Sequence, residues 1–206
     1  MTTANLQPYK MSFATGGLLL NESVEVARLH VPTEAWEVTL QRALEEGVTS
    51  LPKAASRRRT LREIVNRISM LDEAELEFLV DGADRQDQQA LLWLAACRAY
   101  RFVREFATEV IHERFLSFQF DLPLDSFDVL FSAKAEWDEG LAGISPTTRA
   151  KLRQVLFRMM REANVISNDN RILSAYVSPR LKSMLVERSP KDLILFPGLA
   201  REGGAS

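Results

Sequence analysis

The sequence of 206 residues predicts an all-α protein. Three observations carry that expectation. Apolar residues recur at i, i+3, i+4 and i+7 in segment after segment, the spacing of one helix face. The stretch from Gln86 to Phe115 contains neither Pro nor Gly and is rich in strong helix formers. No alternating pattern of the strand type stands out in the first half.

The elements follow in order. LLLNESVEVARLH supplies a first helix through Leu20, Val24, Ala27 and Val31, and Pro32-Thr33 punctuate it. Trp36, Leu40, Ala43 and Leu44 mark one face of a second, closed by Gly47 where a left-handed residue belongs. Leu61, Ile64, Val65 and Ile68 mark a third, capped either by Ser56 or by Thr60, the latter with Glu63 completing a capping box. Asp72 to Val80 is short and acidic. The spine is a single helix over 86–115, about 45 Å long at roughly 1.5 Å per residue. FLSFQFDLPL breaks the pattern as a short strand or extended connector, and Pro123 stops any helix.

The second half begins with a helix over Asp125–Glu136 and a glycine-containing turn. Ser145-Pro146 then starts the cleanest amphipathic helix, with Leu152, Val155, Leu156, Met159, Met160 and Ala163 inward. Val165-Ile166 and Ile172-Leu173 flank Asn168-Asp169-Asn170 as a small hairpin. Ser178-Pro179 starts a further helix. Helix, turn, longer helix, hairpin is the order of a winged helix-turn-helix, whose second paired helix enters the DNA major groove. The expected division is therefore a helical domain over 12–117 built on the long helix and a winged helix-turn-helix-like domain over 124–197. Segments 1–11 and 201–206 are expected to be loose.

Formal net charge is −2, but the charge is unevenly placed. Lys53 to Arg67 holds six basic residues and one acid, and Ser145 to Pro190 holds nine against three. These balances of +5 and +6 leave −13 on the rest of the chain. Such clustering is the electrostatic footprint of a nucleic-acid binder. Arg57, Arg58, Arg59 and Arg62 form the first candidate contact. Lys151, Gln154, Arg158 and Arg161 lie on the polar side of the 146–164 helix with Arg153 flanking, and form the second. Phe157 also falls on the polar side, where it packs on the hairpin or meets a partner. The competing reading of both clusters is a solvated helix face.

Nothing in the sequence points to catalysis. There is no zinc-ligand spacing, phosphate-binding glycine loop or nucleophile elbow. Cys97, the single cysteine, sits in an apolar run and reads as a buried small hydrophobe. Gly16-Gly17 precedes a helix and reads as close packing or a cap rather than a phosphate cradle. The expectation is no enzyme, no cofactor and no metal. The longest apolar run, Ala90 to Cys97, is eight residues, far below the roughly 18 of a membrane span. With no leader pattern in MTTANLQPYKMSF, the expected location is the cytoplasm.

The blocks SFATGGLLLNES, ADRQDQQALLWLAACRAYRFVREFATEVIHERFLS, DSFDVLFSAKAEW and TTRAKLRQVLFRMMREANVIS resemble, in order and spacing, the BrxA family of the bacteriophage exclusion (BREX) defence system. The resemblance implies a helical fold with a likeness to the antitermination protein NusB, an ability to bind DNA, and a role in phage resistance beside a methyltransferase, an ATPase and other BREX components. It carries no catalytic motif. The NusB likeness adds RNA as a possible ligand beside double-stranded DNA, and a protein–protein scaffold is the third reading.

Overall fold

The computed structural model describes residues 8–49 and 53–199. They are mostly helical, and extended backbone pairs only through isolated bridges. In order come α1 (Leu20–Arg28), α2 (Trp36–Glu45), α3 (Ala54–Ile68), α4 (Glu73–Asp81) and α5 (Arg85–Ala99). Then follow α6 (Arg101–Glu105), a π turn (Phe106–His112), α7 (Glu113–Leu116), α8 (Asp125–Ala135), α9 (Glu139–Ala142), α10 (Pro146–Glu162), α11 (Pro179–Arg188) and a 3-10 turn (Pro190–Leu195).

Local signals account for many of the boundaries. Asp72 and Glu75 form a reciprocal capping box on α4. Ser145 and Ser178 cap α10 and α11, each followed by Pro at the first helical position. Gly47 closes α2 with φ +69°. The start of α3 corrects both expected caps: the N-cap is Lys53, without a side-chain bond, and neither Ser56 nor Thr60 serves.

The single long helix does not exist. Tyr100, at φ −127° and ψ 107°, is extended and separates α5 from α6. Its hydroxyl donates to the buried Glu63 carboxylate at 2.6 Å, and its ring packs edge-on against Phe13 at 5.3 Å. A straight helix would carry that ring elsewhere, so tertiary satisfaction of a buried phenol overrides helix propensity. A second departure follows in the π turn, where Thr108 Oγ1 donates to the Arg104 carbonyl at 3.1 Å.

Helix α5 is buried nearly all round from Ala90 to Cys97, as an element apolar on every side must be. It packs on α1, α3, α4 and α10. The C-terminal end returns to it: Trp93 Nε1 donates to the Leu195 carbonyl at 3.1 Å, and Arg98 and Arg104 grip Asp192 at 2.9 and 2.7 Å. Phe106 meets Phe157 at 6.3 Å across the middle of the chain. Buried residues from Phe13 to Phe196 thus form one continuous core. Tyr9, expected in a loose arm, is half-buried and packs against it, its hydroxyl donating to Glu105 and its ring under the Arg101 guanidinium at 4.3 Å. Segments 1–7 and 201–206, expected to be loose, lie outside the described residues.

The hairpin is present as an Ile166–Ile172 antiparallel bridge. The connector also joins it. Ile172 donates its N–H to the Phe120 carbonyl at 2.7 Å, and Leu122 donates to the Asn170 carbonyl at 2.9 Å. The FLSFQFDLPL segment is thus extended beside the hairpin.

Candidate nucleic-acid interface

Helix α3 starts at Ala54 with no acid in its first turn, so only Arg57, at the end of that turn, stands in a field that disfavours it, while Arg58 and Arg59 lie beyond it. Arg58, Arg59 and Arg62 are exposed on one side of the helix. With Lys10, Ser12, Thr15 and Asn66 they line a groove of about 550 Å³. Among the described residues, no carboxylate pairs with Arg58, Arg59 or Arg62. Arg57 is half-buried at the edge of this group.

The groove's own acid is occupied from within. Glu63 is buried and accepts from Arg67 Nε at 2.7 Å and from the Tyr100 hydroxyl at 2.6 Å. Burial and then the Glu63 charge push the Tyr100 phenol above its ordinary value. Asn66 Nδ2 donates to the same hydroxyl at 3.1 Å, and its Oδ1 accepts from Lys10. Arg67 also donates to the Gly17 carbonyl at 2.6 Å. A buried charge has to be paired, and here the pairing leaves the outer arginines unneutralised.

Helix α10 is different. Leu152, Val155, Leu156, Met159 and Met160 are buried as expected. Phe157, expected on the polar side, is 1% exposed and packs on Phe106; as an outward partner contact it is corrected. Burial therefore wraps most of the helix and leaves a narrow polar ridge. On that ridge Lys151 and Gln154 are exposed, and no charged group pairs with Lys151 among the described residues. The arginines have partners. Arg158 donates to Glu162 at 2.7 Å, and Arg161 to Asn170 Oδ1 at 2.8 Å. Arg153 shares Asp128 with Arg149, whose Nε lies 2.6 Å from it.

The two regions are joined by the segment Ser12–Leu18. Ser12 and Thr15 line the groove, and three residues on the Leu18 N–H donates to Glu162 Oε2 at 2.6 Å. Three residues span at most about 11 Å of chain. A Cβ on Gly17 would stand 2.1 Å from that same oxygen, so only glycine allows the approach. Gly17 thus packs closely around a carboxylate, while Gly16 takes a left-handed φ of +69° against the Leu19 side chain. Lys10, Ser12, Thr15 and Glu162 were not singled out as site residues from the sequence. Only the serine and threonine before a double glycine offered a signal.

Among the described residues no group of three His, Cys, Asp or Glu side chains could hold a metal ion. Cys97 is fully buried, and that burial pushes its thiol well above its usual value. No described helix is long and apolar enough to cross a membrane.

Fold and surface together define a helical protein with two linked basic regions. Its architecture is shared with the crystal structure of an uncharacterized protein from Magnetospirillum magneticum, at a TM-score of 0.77 and 23% identity, covering 93% of this chain and 98% of that one. Residues 7–189 match the BrxA family model, and the chain belongs to that family. It is 23% identical over 181 residues to the BREX protein BrxA of Escherichia coli O9:H4 (strain HS), covering 87% of this chain and 84% of the relative. It is 24% identical over 163 residues to the BREX protein BrxA of Bacillus cereus (strain H3081.97), covering 79% and 80%.

Proposed function

We propose that this chain is a non-enzymatic, cytoplasmic accessory protein of a BREX anti-phage system that binds double-stranded DNA. The observation that carries the reading is the α3 groove, where Arg58, Arg59, Arg62 and Lys10 surround one opening while Glu63 is consumed below. Phosphates are the natural counter-charge for such a set. Lys151, Gln154 and Arg158 extend the path onto α10. Arg57, Arg153 and Arg161 are half-buried where Lys151, Gln154 and Arg158 are exposed, and they play a lesser part.

Duplex DNA is favoured over single-stranded RNA by the groove's lining. Sequence-specific binders of single strands stack bases on aromatic rings, and none lines this groove among the described residues. The order α8, α9, α10, hairpin also suits a winged helix-turn-helix. Competition between duplex DNA, single strands and hairpin RNA in gel-shift titrations tests this. Duplex should compete best, with affinity falling steeply in salt. Preference for hairpin RNA would instead support the NusB-like reading. Other BREX components, the methyltransferase and ATPase among them, are the expected protein partners of a DNA-bound accessory protein.

A further inference from the structure

A second surface, far from the basic groove in chemistry, lies between α4 and the α1–α2 corner. It is a trough of about 460 Å³. Ala27 and Leu71 form buried parts of its floor, with Leu76, Val80 and Trp36 half-exposed along it. Val31 and Met70, each next in sequence to residues of this corner, remain exposed at 45% and 42%. Patches that keep apolar side chains in water beside a preformed depression mark interaction sites.

Its shape follows a helix stripe. Glu73, Leu76, Glu77, Val80 and Asp81 all line it, at i, i+3, i+4, i+7 and i+8. The trough therefore runs the length of α4, about 12 Å at roughly 1.5 Å per residue. That is an elongated seat rather than a compact one. Glu73, Glu77 and Asp81 are exposed along its rim, and no cation pairs with them among the described residues. Among the described residues the one lysine or arginine lining it, Arg28, is held by Glu25.

The facing wall is fixed before any partner arrives. His30 stacks on Trp36 at 3.7 Å with the rings parallel to within 1°. Its Nδ1 lies 2.8 Å from Thr39 Oγ1. Glu34 is clamped by two hydrogen bonds from Arg42 at 2.7 and 2.8 Å. Preorganisation of this kind lowers the ordering cost of binding.

We infer that this trough docks a cationic amphipathic helix of another protein: apolar side chains against Leu76, Val80 and Trp36, and lysines or arginines at i, i+4 and i+8 against Glu73, Glu77 and Asp81. Helix-in-groove recognition reads such spaced anchors. The occupant's charge is set by the rim, because like charge facing those three acids would be repelled. The inference is independent of DNA binding, since it uses neither basic region.

The test uses the full chain and a fluorescein-labelled helical peptide of about 18 residues, with a leucine face flanked by lysines at i, i+4 and i+8. Controls are a peptide of the same composition in scrambled order and one with Glu in place of Lys. The patterned peptide should bind at least about tenfold tighter than either. Hydrogen exchange should slow over 27–36 and 71–81. The variant E73Q/E77Q/D81N, altered only at exposed positions, should lose about tenfold in peptide affinity while its duplex-DNA affinity holds. Equal binding of scrambled and patterned peptides, or protection elsewhere, would overturn the proposal. So would sedimentation showing that the chain self-associates and that the same variant abolishes it, since the trough would then seat a second copy.

Discussion

The two basic regions carry nearly equal excess charge, +5 around α3 and +6 from Ser145 to Pro190, yet they present it differently. On α3 the nearby acid faces inward, where Arg67 and Tyr100 satisfy it. The outer arginines keep their full charge. On α10 the carboxylates face the cations: Glu162 takes Arg158, and Asp128, more than twenty residues upstream of both partners, takes Arg149 and Arg153. Charge density along a sequence is therefore not charge available to a ligand. What decides availability is where the neighbouring acids point.

That contrast makes α3 the main anchor and α10 the auxiliary one. The sharpest test removes the anchor. R58A/R59A/R62A should weaken duplex binding roughly a hundredfold near physiological salt and flatten the log–log salt slope by about 2.7, at about 0.9 per phosphate contact. These side chains are exposed, so the urea midpoint should hardly move. An unchanged slope would reverse the ranking of the two regions.

Next in size is the strap between them. Gly17→Ala would place a methyl against the Glu162 carboxylate that holds the Leu18 N–H. Displacing that carboxylate should cost roughly 1–3 kcal/mol, read as a lower midpoint in urea unfolding. Smaller again is the auxiliary contact itself. K151A/R158A should reduce DNA affinity about five- to tenfold and the salt slope by less than about 1.8, because Arg158 already shares its charge with Glu162.

How far the sequence foretold this depends on the range of the cause. Caps at Ser145 and Ser178 and the left-handed Gly47 are local, and the residues announce them; the Asp72 cap is as local, yet the sequence reading places Asp72 inside its helix. The inward face of α10 was likewise legible from its period. The break at Tyr100 was not, because it arises from Glu63, 37 residues away, and from Phe13. The helical period places Phe157 on the polar side for the same reason: its burial depends on Phe106, which approaches from the π turn. The basic clusters could be seen in the sequence, but their neutralisation could not. The acid that quiets Arg153 lies on α8, and the one that quiets Arg158 also holds the Gly17–Leu18 backbone.

The smallest expected effect has the opposite sign. Asp128 accepts from Arg149 Nε at 2.6 Å and also pairs with Arg153, and its backbone carbonyl accepts from Arg149 at 2.7 Å. Side chains in this triad are about a third exposed, at 28–34%, so the pairs contribute little to stability, roughly 0–1 kcal/mol each. Asp128→Asn keeps the size and an acceptor oxygen but removes the charge. Arg149 can remain docked through the Asp128 carbonyl and over the Phe131 ring at 4.5 Å. Among the described residues Arg153 has no such second tether, and it would swing to the surface as a free cation. If paired acids are what subdue α10, this substitution should tighten duplex binding about two- to fourfold and steepen the salt slope by at most about 0.9. Unchanged binding would mean that Arg153 lies off the DNA path, and the contrast between the regions would then be one of position rather than of pairing.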